Sequence, residues 1–398
     1  MTNRRLKISD PALRFVLIMG VVNLFSDMTY EGGASINGLF LGTLGASAAT
    51  VSIVAGLGEF LGYSIRLISG YISDKTGRYW LITFIGYVIN LLAVPALALV
   101  GSWPVAAALV LAERIGRGIR KPTVESMLSY TTGTLGKGWV YALNSALDET
   151  GAALGPLIIA LVLFLKGNYR TGYAILLAST LLALTSLAVA RITFPVPSDM
   201  EGKGSVRSVG FTTSYWLYMV GASFFAAGLM SFEFISYHLS STKVVAEQWI
   251  PILLALSTLV GIIASLVMGK LYDRVGTPIV IVSVLISAAF SPLVFLGTPF
   301  VAVAGLMLWG VGYAIQDTLL KAIVAGELPE GRRNLAFGLF YTGYGIGWLL
   351  GSIITGLLYE NSRSYLIGFA VAIQVASLPL FVLASRAKGQ SGQPAAAR

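Results

Sequence analysis

The sequence predicts an all-α membrane protein: twelve transmembrane helices in two six-helix, pseudo-symmetric bundles. Three observations carry this. The 398-residue chain is 56% hydrophobic and only 11% charged, with a mean hydropathy of +0.80, whereas a soluble chain is about a quarter charged. Its apolar residues come in blocks of about 20, enough to cross roughly 30 Å of hydrocarbon at about 1.5 Å per residue. The two halves of the chain also echo one another.

The blocks run 14–42, 48–71, 79–100, 103–122, 139–165, 171–194, 212–238, 248–271, 277–296, 299–323, 335–358 and 364–385. The charges between them test the count. With the N-terminus inside, nineteen Lys and Arg fall on the cytoplasmic side, from Arg4, Arg5 and Lys7 to Arg386, Lys388 and Arg398. The other side holds only Lys166, Arg170, Lys243 and Arg363. That asymmetry obeys the positive-inside rule, and an odd number of spans would scramble it. Both termini are therefore expected in the cytoplasm, and the chain in a plasma (inner) membrane. The net charge of +9 and the pI near 9.6 follow from this bias and suit an anionic leaflet. They are no nucleic-acid signal. "TNRRLK" ahead of a long span reads as an uncleaved first helix. There is no cysteine, hence no thiol chemistry. The lipid bilayer is the expected surrounding, and a monomer the expected state.

Residues 195–211, rich in Pro, Gly and Ser, form the expected cytoplasmic linker. It divides an N-terminal bundle (1–194) from a C-terminal bundle (212–385). Residues 386–398 are expected as a disordered tail. "GYISDKTGR" from Gly70 is echoed by "GKLYDRVGT" from Gly269, an offset of 199. Gly151 and Gly155 are echoed by Gly347 and Gly351 at an offset of 196. Duplicated six-helix halves around a linker are the pattern of a rocking secondary transporter. The 45 glycines suit close helix packing in lipid.

On these motifs the chain resembles the major facilitator superfamily over nearly its whole length. Gly70, Ile72, Ser73, Asp74, Lys75, Gly77 and Arg78 follow the family's loop motif after helix two, departing at Tyr79. Arg114 and Gly118 fit the R-x-x-x-G of helix four in proton-coupled branches. Gly151, Gly155 and Pro156 fit the antiporter motif of helix five, although Ile159 and Ala160 stand where that motif closes on glycines. "ERIGRGIRKP" and "ALDETGAALGPL" look like a prokaryotic branch of the superfamily. The resemblance implies alternating access. It also implies a gate in which Asp74 meets the start of helix eleven and Arg78 pairs with an acid on helix four, here Glu125.

Eight acids fall inside the spans: Asp27, Glu31, Glu59, Glu113, Asp148, Glu149, Glu233 and Asp317. A charge at mid-membrane costs about 2.5–3.5 kcal/mol, so all eight ionised and unpaired would exceed the roughly 5–15 kcal/mol of a typical fold. They must be paired, protonated or wet. Asp27 and Glu31 lie about 40° apart on the helical wheel, on one face of helix one. Two ionised acids on one face repel, so one of them is expected to take up and release a proton. Open alternatives are a solvated Glu31 near the outer interface, or both acids locked to arginines. Arg114 and Asp148 each lie about nine residues, roughly 13 Å, from the inner end of their spans, which predicts a close approach. Such a pair is either static or one whose partner changes during transport. Asp27, Glu31, Arg114 and Asp148 form the candidate proton-coupling set.

Glu59 and Arg66 lie two turns apart on helix two, so each is expected to find a partner on another helix. Glu113 with Arg117, and Asp317 with Lys321, have i, i+4 spacing and can pair within one helix. Arg117, Arg120 and Lys121 are expected to reach for the interface. The candidate substrate cavity comprises Glu59, Glu113, Arg117, Glu233, Trp309, Tyr313 and Asp317. Helices seven and ten supply its apolar wall, with Trp216, Tyr218, Phe224 and Phe225. His238 is expected at the outer interface.

Nucleotide and hydrolase motifs are absent. "TTGTLGKGW" lacks a correctly spaced first glycine, and no soluble strand precedes "GYGIGWLLG". No enzyme, cofactor or metal site is expected. The expected function is secondary active transport of a small solute, proton-coupled, with efflux of a drug-like or metabolite molecule as one form. A passive uniporter and a non-transporting membrane receptor on the same fold are the alternatives.

Overall fold

The computed structural model describes residues 11–131, 137–196, 211–314 and 333–391, which form helices joined by short turns, with no strand among them. Among the described residues, six α-helices lie ahead of the linker: α1 (Pro11–Thr43), α2 (Ala48–Thr76), α3 (Tyr79–Ala96), α4 (Trp103–Ser129), α5 (Lys137–Phe164) and α6 (Tyr169–Thr193). After it come α7 (Thr213–Leu229), α8 (Phe232–Ser241), α9 (Ile250–Val275), α10 (Thr277–Ala288), α11 (Phe290–Leu296), α12 (Pro299–Ala314), α13 (Arg333–Asn361) and α14 (Arg363–Ser391). The pairs α7–α8 and α10–α11 are each one crossing interrupted by a break, so the expected twelve crossings are met in order.

The breaks have local causes. Pro292 has no N–H and crowds the carbonyl of Ala288, four residues back, and the chain turns at Ala289. Between α7 and α8, Met230 takes φ +57°, and Ser231 caps the new helix by accepting from the Phe234 N–H at 3.4 Å. Pro122 has the opposite outcome. It lies inside α4, which continues to Ser129, seven residues past the end that the sequence suggests. Likewise α14 continues to Ser391, so the first residues of the expected disordered tail are helical.

Nine stretches among the described residues are long and apolar enough to cross a membrane. α4 is not one of them, because it holds Glu113, Arg114, Arg117, Arg120, Lys121 and Glu125. A helix this charged is tolerable in lipid only where its polar side chains face protein or water.

The chain forms two compact units, Met1–Ile36 with Ile68–Ser205, and Asn37–Leu67 with Val206–Arg398. In the first, an apolar core of Phe15, Met19, Val22, Trp80, Tyr87, Leu91, Met127, Leu128, Leu187 and Ala190 joins α1, α3, α4 and α6. In the second, the far end of α1 and most of α2 pack on helices from beyond the linker. Gly38 rests on the Glu233 carbonyl and on Ser236, Gly56 meets Ser352, and Ser52 Oγ donates to the Ser352 carbonyl at 2.7 Å.

The duplication reappears as packing. A Cβ on Gly151 would strike the Leu24 backbone, and one on Gly155 the backbone of Met28 and Gly32, so α5 lies directly on α1. Gly347 and Gly351 meet the backbones of Ser223 and Ala227 in the same way, setting α13 on α7. Leu24 and Met28 map onto Ser223 and Ala227 at the 199-residue offset read from the loop motifs. In both motifs the second glycine is left-handed, with φ +66° at Gly77 and +74° at Gly276.

Candidate functional site

In the first unit the intramembrane charges converge on α4. Asp27, buried on α1, places Oδ1 3.6 Å from Arg120 Nη2. Arg120 is buried and held from two further sides. Its Nε donates to Asn90 Oδ1 at 3.1 Å, and its guanidinium lies 4.5 Å from the centre of the Tyr87 ring. Asn90 Nδ2 donates to Glu113 Oε1 at 2.8 Å and to the Glu113 carbonyl at 3.1 Å. Arg114 Nε lies 3.4 Å from Glu113 Oε2. The Tyr87 hydroxyl donates to Asn23 Oδ1 at 2.7 Å, and Asn23 Nδ2 to Asn144 Oδ1 at 2.9 Å. The network therefore ties α1, α3, α4 and α5 together. Gly86 and Gly116 make it possible: a Cβ on either would meet backbone of the facing helix, so α3 and α4 touch main chain to main chain.

One turn along, Arg117 lies over the Tyr30 ring, 4.1 Å from its centre, and the Tyr30 hydroxyl donates to Glu31. Asp27 and Glu31 thus both face α4, Asp27 meeting Arg120 directly and Glu31 reaching Arg117 through Tyr30. The expected Arg114–Asp148 pair does not form. Asp148 Oδ2 instead lies 3.9 Å from Lys121 Nζ, and Arg114 meets Glu113. The depth count placed the end of helix four at residue 122, whereas the extra seven residues of α4 lift Arg114 by about 10 Å. The start of α5 moves by far less. The same extension moves Arg120 from the helix end into the interior, so it does not reach for the interface.

Of the gate residues, Gly70 and Asp74 lie at the end of α2, Gly77 and Arg78 in the turn after it, and Glu125 on α4. Asp74 accepts from the Tyr79 hydroxyl at 3.1 Å, so the motif's departure at Tyr79 supplies a partner. Arg78 and Glu125 are exposed, and no ion pair joins them; α4 carries Glu125 on past Pro122, on a solvent-facing turn. Gly70 is not a tight approach, since a Cβ there would meet Pro122 at an ordinary 3.7 Å. The side chains at the start of α13, where the resemblance places the partner of Asp74, lie outside the described residues, as do Asp317 and Lys321.

In the second unit Glu233 is buried in the first turn of α8, where free backbone N–H groups favour a carboxylate. Trp309 is buried and packs, tilted, against the rings of Phe232 and Tyr313. Its Nε1 donates to the Met230 carbonyl at 3.0 Å, satisfying a group that the helix break releases. Trp309→Phe keeps the ring and removes that donor. It will destabilise the protein by about 1–3 kcal/mol, read from the thermal unfolding midpoint in detergent. Tyr218 and Phe225 are core residues, while Trp216 and Phe224 are exposed. His238, in the last turn of α8, is only 1% exposed. Its Nδ1 is 2.9 Å from the Tyr359 hydroxyl, and its ring lies against Phe295.

Sequence reasoning missed Asn23, Tyr87, Asn90 and Arg120. Asn90 had a readable signal, an amide inside the apolar run "GYVINLL". Arg120 was obscured by Pro122, which resembles a helix end.

A family model described as Major Facilitator Superfamily matches residues 16–315 and 219–398. An uncharacterized protein of Mycobacterium tuberculosis is 32% identical over 385 residues, 94% of each chain. An uncharacterized MFS-type transporter of Methanocaldococcus jannaschii is 27% identical over 381 residues, 92% of this chain and 94% of that one. Among solved structures, the peptide transporter POT in complex with sulfate shares the fold, with a TM-score of 0.73, 14% identity and 95% of each chain covered.

Proposed function

Because the chain belongs to the Major Facilitator Superfamily and is a membrane transporter, we propose that it moves a small solute by alternating access and couples that movement to protons. The observation that carries the reading is the loose ion pair of Asp27. At 3.6 Å it exceeds the roughly 2.7–3.2 Å of a well-formed N–H···O bond. Arg120 is meanwhile anchored by Asn90 and Tyr87 without help from Asp27. Protonation of Asp27 would therefore release α1 from α4 and leave Arg120 in place, a small electrostatic change acting on two helices. Glu31 is the second acid of the relay. Arg114 and Lys121 hold Glu113 and Asp148 and tune the local field.

In this reading the protein sits in the inner membrane as a monomer with both termini cytoplasmic. The motif turn at Gly70, Asp74, Gly77 and Arg78 acts at the cytoplasmic gate, without Glu125. The aromatic residues around Trp309 and Tyr313, with Glu59 and Glu233, are the second unit's contact points for the solute, and Glu113 and Arg117 are those of the first. The test is a solute screen in proteoliposomes with an imposed pH gradient. Wild type will show gradient-driven flux, and Asp27→Asn will lose the dependence on pH. Flux that ignores the gradient in wild type would mark a uniporter. Undiminished, still pH-dependent flux in Asp27→Asn would remove Asp27 from the mechanism.

A further inference from the structure

Arg66 stands apart from the network on α4. It lies on α2, ten residues short of Thr76, about 15 Å from that helix end. Among the described residues no carboxylate pairs with it, and its buried Nε has no hydrogen-bond partner. What it has is aromatic. The guanidinium carbon is 4.8 Å from the centre of the Tyr63 ring and 5.5 Å from that of Tyr341 on α13. Those rings stack on one another at 5.3 Å, 4° from parallel.

The direction of the side chain matters. Tyr63 lies one turn before Arg66, away from Thr76. An arginine snorkelling to the nearer aqueous edge would point the other way. Arg66 is instead drawn back toward the middle of its helix and held there. Two π faces offset only part of the cost of a guanidinium at that depth. Neither ring supplies an oxyanion, so the planar fork of N–H groups keeps its capacity to grip one with two parallel hydrogen bonds. The residue remains partly accessible. Glu59, Tyr63 and Arg66 follow i, i+4, i+7 spacing on one face of α2, so the acid is two turns from the base and leaves its edge clear.

We propose that Arg66, oriented by Tyr63 and Tyr341, is the anion-binding point for the transported solute, which is a small organic oxyanion with a carboxylate or phosphate group. The assignment rests on the transporter reading for its role. It is tested by binding alone, so loss of pH-driven flux and loss of anion binding are separate results.

The experiment uses the full-length protein in neutral detergent at constant ionic strength. Sodium benzoate, inorganic phosphate and the neutral control benzamide are titrated while the unfolding midpoint is followed. Benzoate or phosphate will raise the midpoint saturably, and benzamide will not. Arg66→Gln will weaken the apparent affinity at least tenfold. Arg66→Lys, which keeps the charge and loses the planar fork, will fall between the two. Equal affinity in wild type and Arg66→Gln, undiminished affinity in Arg66→Lys, or no saturable response to either anion would overturn the proposal. Phosphatidylglycerol added to the micelles separates the two sources of such a group. If it displaces benzoate at near-stoichiometric ratio where phosphatidylcholine does not, the occupant is a lipid headgroup and the solute assignment fails.

Discussion

Arg120→Ala will destabilise the protein by about 3–5 kcal/mol, because it strands a buried carboxylate whose ion pair it removes. The loss reaches beyond Asp27. Asn90 gives up its Arg120 Nε donor, and the Tyr87 ring gives up its cation. The control is the double variant Asp27→Asn with Arg120→Gln, which takes out both charges and leaves amides able to hydrogen-bond. It will recover most of the stability, since removing both members of a buried pair costs far less than removing one. Thermal unfolding of wild type, Asp27→Asn, Arg120→Gln and the double variant gives the coupling energy directly. If the single and double variants are equally unstable, Arg120 acts through packing, and the electrostatic account of this site fails.

Gly155→Ala will cost about 1–3 kcal/mol, and Gly351→Ala a similar amount, because each methyl must push two backbones apart in a packed interior. The targets differ in sequence, Met28 and Gly32 in one case and Ala227 in the other, but are equivalent in geometry. Gly368→Ala is the contrasting substitution. It lies within α14, and a Cβ there meets nothing within 4 Å. It will be neutral or gain up to about 1 kcal/mol from helix propensity. Unfolding midpoints of the three variants test both statements. Equal behaviour of all three would mean that close backbone approach does not hold these helices.

The fold was legible in the sequence because lipid leaves few choices: every crossing must close its own backbone hydrogen bonds. Apolar length and loop charge then fix the number of crossings. The packing glycines were legible too, because duplication gave each a second reading at 196 residues. The site was legible only in outline. That Asp27 must be paired, protonated or wet follows from the cost of burying charge, but which arginine meets it depends on helix phase and height. One proline decided that. Read as an end, Pro122 puts Arg120 at the interface and Arg114 opposite Asp148. Carried inside α4, it puts Arg120 against Asp27. Polar residues without charge left a weaker trace: Asn90 was readable as an amide within an apolar run, but nothing in the sequence tied it to Glu113 and Arg120.

The matched glycine contacts bear on ancestry. They align Asp27 with Ala226 and Glu31 with Met230 at the 199-residue offset. The scaffold thus survives in both copies, while the two acids are present in the earlier one only. A self-associating six-helix ancestor would have had to carry such charges twice or not at all. Fusion into one gene lets each copy mutate alone, so the later copy could lose its acids and, at Met230 itself, turn a continuous rod into a jointed one.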